Sequence, residues 1–370
     1  DRMAEAVPLE ESDGLEFVDA SSGDEEEVPT PSHAPRLPLP CGAPTPDVIT
    51  QQALATRAAF QARGTSVLPL SKEIVSCGER MKKKMPPMFA FSRLLRDPQK
   101  HAIWCLWSVC DTFDCCQSPG ELRAQQEKLR SAFDSQTPSD DIEGEIWSAL
   151  RAALQCYSII QKPFHDLAEG MAARPFMRGA TTGLVFNSVD ELMLHVYRFG
   201  GAIGLIALPV LSEDAMTDGD VAMGALSLGM ALQLTDMLNC VGHHYRTLGN
   251  RTIPKDLLRE HGISESELET NLRGDSSSLV GHAEWQALMA KLLAPVRPWL
   301  QHAAWAGERL PRKSCIAVRV GVRMCMRVVL HIERRGYNSI NTRTQMFTVR
   351  TIGDVAGAMR GSGIQAEKMS

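Results

Sequence analysis

The segment DVAMGALSLGMALQLTDMLNCV, residues 220–241, is apolar or small on nearly every side of a helical period. A helix of that kind has no face for water and has to be enclosed by other elements. The rest of the chain supplies them at the same period. HAIWCLWSVCDTFDCC sets Ile103, Leu106, Trp107 and Cys110 at helical spacing. SPGELRAQQEKLRSAF opens on Ser118 as a cap, with Pro119 at the first position and Glu121 three residues on. DDIEGEIWSALRAALQCYSII, SVDELMLHVYRFGGAIGLIAL and AEWQALMAKLLAPVRPWLQHAAWAG continue the pattern, and Asp190 and Glu191 suit the positive end of the second of these. VGVRMCMRVVLHI is Val-rich enough to resemble a strand locally, but its helical neighbours make helix the reading. The expectation is a single all-α domain over about 67–360, after an extended or disordered tail at 1–66 and before a flexible end at 361–370.

The tail is set apart by charge. Residues 1–50 carry twelve acids against two bases, followed by a Pro-rich run, so they are near −10 while the remainder is near +5. Such a segment buries too little apolar surface to offset its chain entropy, and it is suited to lying along a partner. The ten cysteines show no C-x-x-C spacing, which implies reduced thiols in an intracellular compartment or organelle. The chain opens on Asp1 rather than Met, for which a removed leader and a start upstream of Asp1 are the two expectations. No uninterrupted run of 18 apolar residues occurs, so no membrane-spanning helix is expected. There is no phosphate-cradling G-x-x-x-x-G-K, no Cys–His protease constellation and no basic stripe interleaved with aromatics, so nucleic acid is not expected as a partner. The bases Arg80, Lys82, Lys83 and Lys84 read as a solvated face, with contact to anionic lipid or a partner as the alternative.

Four blocks, CGERMKKKMPPMFAFSRLLRDPQKHAIWCLWSVCDTFDCC (77–116), SVDELMLHVYRFGGAIGLIALPVL (188–211), ALSLGMALQLTDMLNCVGHHYRTLGNRTIPKDLLREHGIS (225–264) and ERRGYNSINTRTQMFTVRTIGDVAGAMR (333–360), together resemble the squalene and phytoene synthase family, most closely its plant-type phytoene synthases. The resemblance implies a helical bundle of the isoprenoid synthase type around a central cavity, with Phe89, Phe91, Tyr197 and Gln233 on the cavity wall. Members of that family join two allylic diphosphates head to head. Ionisation leaves a carbocation, and the departing diphosphate is held by Mg²⁺. Mg²⁺ takes hard oxygen ligands, and carboxylates four apart on a helix share one face.

At those positions the chain departs from the family. The first D-x-x-x-D reads Asp111-Thr112-Phe113-Asp114-Cys115, so Cys115 replaces the last acid and Asp114 stands one residue early. The second, Asp-Val-Gly-Glu-Asp in the family, reads Cys240-Val241-Gly242-His243-His244, with Asn239 for the preceding Arg and Asp236 one turn earlier. The segment 169–192 is longer than its counterpart and lacks its acid, and Cys325-Met326 replaces a Tyr-Arg. Asp111, Asp114 and Asp236 are therefore the residual Mg²⁺ candidates. A closed Zn²⁺ set of Asp111, Cys115, Cys240 and His244 is a further alternative, and replacement of unpaired acids by neutral Cys and His is the simplest reading.

The resemblance then points to a non-catalytic member acting as a structural or assembly subunit of an organellar membrane complex. It implies a plastid, peripheral to the thylakoid and linked to a photosystem or to carotenoid synthesis, with the acidic tail on partner subunits. No cofactor is expected, and an apolar cavity would suit a lipid or pigment tail. The alternatives are a divergent active phytoene synthase using Mg²⁺, and a mitochondrial relative of the complex I assembly type.

Overall fold

A computed structural model describes residues 39–40, 42–61, 68–134, 144–173, 183–274 and 278–344, and the backbone of 16–18. The helices are α1 (Pro46–Gln61), α2 (Lys72–Lys84), α3 (Pro86–Ser92), α4 (Asp97–Asp114), α5 (Pro119–Phe133), α6 (Glu145–Cys156), α7 (Lys162–Ala172), α8 (Val189–Val196), α9 (Ala202–Leu211), α10 (Gly219–Asn239), α11 (Val241–Leu248), α12 (Lys255–Glu260), α13 (Glu265–Arg273), α14 (Ala283–Leu293), α15 (Val296–Gly307) and α16 (Arg312–Arg334). The fold is all-α as expected. The strand-like Val-rich segment lies inside α16, and the only described strands are β1 (Glu16–Val18) and β2 (Thr342–Thr344), paired in parallel.

Helix α10 is the hub. It packs against α9, α15, α16 and α1, and Leu226, Met230, Ala231, Leu234 and Leu238 on it are fully buried. A second core forms where α4 meets α2, α6 and α9, around Cys105, Val109, Leu150 and Phe164. Local signals act as read. Ser118 Oγ accepts from Glu121 N at 3.1 Å, while Gln117 N donates back to Glu121 Oε2 at 2.7 Å, closing both ends of a cap. A second such cap, which the sequence reading did not pick out, has Ser188 Oγ accepting from Glu191 N at 3.2 Å. A π-helical turn at Tyr197–Gly201 joins α8 to α9, which the apolar periodicity did not announce.

Two corrections concern the tail and the membrane. The tail reading ends too late, because Pro46–Gln61 form α1, whose Ile49, Ala53 and Phe60 are buried, the helix packing on α10. The acidic composition of the preceding residues masked this short amphipathic helix. The rest of the expected tail, apart from 16–18, 39–40 and 42–45, lies outside the described residues, as does the chain after 344. The stretches Val189–Leu211 and Gly219–Asn239 are long and apolar enough to cross a membrane, although polar residues interrupt them, and 67% of each apolar window is buried inside the bundle.

Candidate functional site

The first motif sits on the last turn of α4, facing α2. Asp111 is only 10% exposed and accepts from Arg80 Nε at 2.6 Å and Arg80 Nη2 at 2.5 Å. Lys84 Nζ adds bonds of 2.9 and 3.1 Å to the same carboxylate and one of 3.0 Å to Cys115 Sγ. Arg80 and Lys84 are four apart, so one face of α2 delivers both cations to one acid. Burial alone would lower the Lys84 ammonium, but its bonds to Cys115 and Asp111 outweigh this and raise it. The reading of this basic run as a solvated face therefore fails for Arg80 and Lys84, whose side chains are turned inward onto Asp111. Asp114 is exposed at the end of the helix, whereas Asp111 is enclosed.

The second motif spans the junction of α10 and α11. Asp236, Cys240 and His244 follow one another at helical spacing. Burial raises the Asp236 carboxyl, opposed by the His244 imidazole beside it. Burial lowers His244, although Asp236 pulls it the other way, and it pushes the Cys240 thiol far up. Two guanidinium groups, Arg335 and Arg343, act electrostatically on Cys240, and burial lowers Arg335 to about 10. His243 stands beside His244, with ring centroids 6.1 Å apart.

The C-terminal segment is strapped across this junction. Asn239 grips Thr344 on both sides: its Nδ2 donates to Thr344 O at 2.6 Å and its Oδ1 accepts from Thr344 N at 2.9 Å. Arg335 Nη2 donates to the same Oδ1 at 3.1 Å. Gly242 N donates to Ser339 O at 3.0 Å, and a Cβ at Gly242 would lie 1.9 Å from Ile340 O. Only a glycine lets the strap come this close.

These donors do not fit Mg²⁺. The one enclosed carboxylate of the first motif is already neutralised by two cations, and two unit positive charges about 4 Å apart repel by about 4 kcal/mol at a near-surface dielectric. The second motif presents one acid, Asp236, whose carboxyl burial raises, beside a protonated thiol, imidazoles and guanidinium groups, a poor set for a hard dication. The zinc alternative is also not assembled. Asp111 and Cys115 are engaged by Lys84, Cys240 is held as a thiol, and among the described residues no group of three or more His, Cys, Asp or Glu side chains clusters for a metal.

Between α3, α9, α10, α15 and α16 lies an apolar cavity of about 160 Å³, with Met88, Phe91, Ile203, Leu228, Ala303 and Val318 on its wall. It is narrow because the helices close in. A Cβ at Gly204 would meet Ala225 O at 2.1 Å, so α9 lies directly on α10. Of the four expected wall residues, Phe91 is on it. Phe89 instead stacks on Trp104, with centroids 5.4 Å apart. Tyr197 is a core residue whose Oη donates to Asp166 at 2.7 Å. Gln233 packs beside Gly200 and is not on this wall. Cys325 is a buried core thiol donating to Thr235 Oγ1 at 3.3 Å. The altered segment 169–192 lies partly outside the described residues.

The buried acid makes a pH prediction. The carboxyl of Asp236 titrates above its ordinary 3.8 in the folded chain, so the folded state binds more protons than the unfolded one in that interval. Stability from this group is complete below 3.8 and declines as pH rises through the folded value. Asp236→Asn is expected to raise the thermal midpoint at pH 7 and to have little effect at pH 3, as measured by calorimetry at both pH values.

The geometry defines a class: an isoprenoid-synthase-type helical bundle whose two motif faces hold internal cations. Comparison with known proteins identifies the lineage. Residues 81–350 match the pattern of the family described as Squalene/phytoene synthase, and the chain belongs to that family. It is 25% identical over 278 residues to phytoene synthase 1, chloroplastic, of Zea mays, covering 72% of this chain but only 63% of the maize protein. It is 26% identical over 200 residues to farnesyl diphosphate phosphatase YisP of Bacillus subtilis, covering 52% of this chain and 66% of that one. A dehydrosqualene synthase crystal structure superposes with a TM-score of 0.62 at 17% identity, over 83% of this chain and 99% of that one, a likeness of fold.

Proposed function

We propose that this chain is a non-catalytic member of its family, acting as a structural or assembly subunit of an organellar membrane complex. The observation that carries the reading is the ion-paired Asp111: where a prenyl transferase needs a free acid for metal, Arg80 and Lys84 neutralise it. The second motif supports the reading, because Cys240 and His244 carry no negative charge and a strap gripped by Asn239 crosses them. A cavity of about 150 Å³ takes up benzene, so the apolar one of about 160 Å³ suits a single lipid or pigment chain end.

Relatives named chloroplastic support a plastid location, and a position peripheral to the thylakoid is part of the proposal. The partners would be protein subunits contacted by the acidic N-terminal tail. A divergent active synthase remains the competing reading, with Asp111, Asp114 and Asp236 as its ligands. The test is to isolate the chain from detergent-treated plastid membranes and size the assembly. Elution in a particle far larger than the 40.6 kDa chain, with constant stoichiometry of other subunits, is the expected result. Elution as the free chain would overturn the assembly role.

A further inference from the structure

The strap over the second motif has two edges. Thr342 and Thr344 are β-branched and flank Arg343, which favours the extended form of β2. Thr344 turns both its N–H and its C=O to Asn239, so the inner edge is filled from α10. Backbone groups alternate along a strand, so Arg343 turns its N–H and C=O to the opposite, outer edge. There β1 lies: Glu16–Val18 pair in parallel with Thr342–Thr344, and Phe17 stands opposite Arg343. In that register Arg343 N–H donates to Glu16 C=O, and Val18 N–H donates to Arg343 C=O. We infer that this outer edge is a strand-addition site whose occupant is the chain's own acidic tail, held as a displaceable latch over the second motif.

Two observations besides the pairing fit that occupant. One is charge. Residues 10–20 carry five acids and no base, whereas 334–344 carry Arg334, Arg335 and Arg343 and no acid. Attraction between the two segments brings the tail to this edge, and the backbone bonds fix its register. The other is size. Three residue pairs on a two-stranded ribbon are marginal alone, but tail and strap belong to one chain, so pairing them costs no translational freedom. Such a contact forms and still opens readily. Its place gives it a consequence. The strap is fixed to the junction of α10 and α11 by Asn239 and Gly242, so a docked tail adds a further layer over Cys240 and His244. The latch goes beyond the assembly reading and does not depend on it. In a subunit it would withhold the tail from partners, and in a synthase it would cover the second motif.

The experiment measures amide hydrogen exchange residue by residue on the full chain, beside Val18→Pro, which removes the one tail N–H that bonds Arg343. In the unsubstituted chain the amides of Val18 and Arg343 should exchange about tenfold more slowly than unstructured ones. Val18→Pro should bring Arg343 to the unstructured rate and leave the Thr344 amide, held by Asn239, unchanged. Salt at 1 M, where the screening length is about 3 Å, should speed Arg343 exchange in the unsubstituted chain and have no such effect in Val18→Pro. Equal Arg343 rates in the two proteins would overturn the latch, and an unprotected Val18 amide in the unsubstituted chain would overturn it without the variant. Exchange at Arg343 that ignores salt would overturn the choice of an acidic occupant.

Discussion

Asp111→Asn is expected to destabilise the chain by about 2 kcal/mol, because it leaves two inward-facing cations without a counter-charge. The full penalty for breaking a buried pair is larger, but Lys84 is 39% exposed and relaxes partly into solvent, which reduces the loss. Denaturant unfolding at pH 7 measures it. In a metal-dependent relative the corresponding acid would sit among like charges when metal is absent, and removing it would relieve repulsion and stabilise the apo protein. The sign of this one substitution therefore separates an internal salt-bridge site from a metal site.

Gly242→Ala is expected to cost about 3 kcal/mol, near the upper end of ordinary single substitutions. The new Cβ would lie 1.9 Å from Ile340 O, a backbone atom with no flexible side chain to yield. The strap would lift, losing the bond from Gly242 N to Ser339 O and that from Arg246 Nη2 to Ile340 O at 2.9 Å. Unfolding should become easier, and limited proteolysis should cleave within 338–344 under conditions where the unsubstituted chain stays intact. An unchanged cleavage pattern would show that the strap does not depend on this approach.

The helical architecture was legible because its signal is local. The all-round apolar character of α10, the Ser118 cap and the acids Asp190 and Glu191 in the first turn of α8 each act within a few residues, and each forms as its sequence dictates. The degenerate acids were legible as well, since a missing carboxylate is visible in a linear string. What replaced them was not, because the replacement comes from other elements. Arg80 and Lys84 lie 31 and 27 residues from Asp111, and Thr344 lies 105 residues from Asn239. The four-residue spacing of Arg80 and Lys84 was the one available clue that two bases of the run share a face. The resemblance places Tyr197 and Phe89 on the cavity wall, but aromatic residues on core helices serve packing and binding alike, and only the fold tells which neighbour they meet.

The proposed non-catalytic role requires that the family's metal-assisted ionisation of an allylic diphosphate have no site in this chain. The most direct measurement is diphosphate release from geranylgeranyl diphosphate with Mg²⁺ present, alongside extraction and detection of phytoene. The expected result is no release above the protein-free control and no phytoene, at any Mg²⁺ concentration. Mg²⁺-dependent release by the unsubstituted chain, abolished in Asp111→Asn, would contradict it and make Asp111 a metal ligand after all.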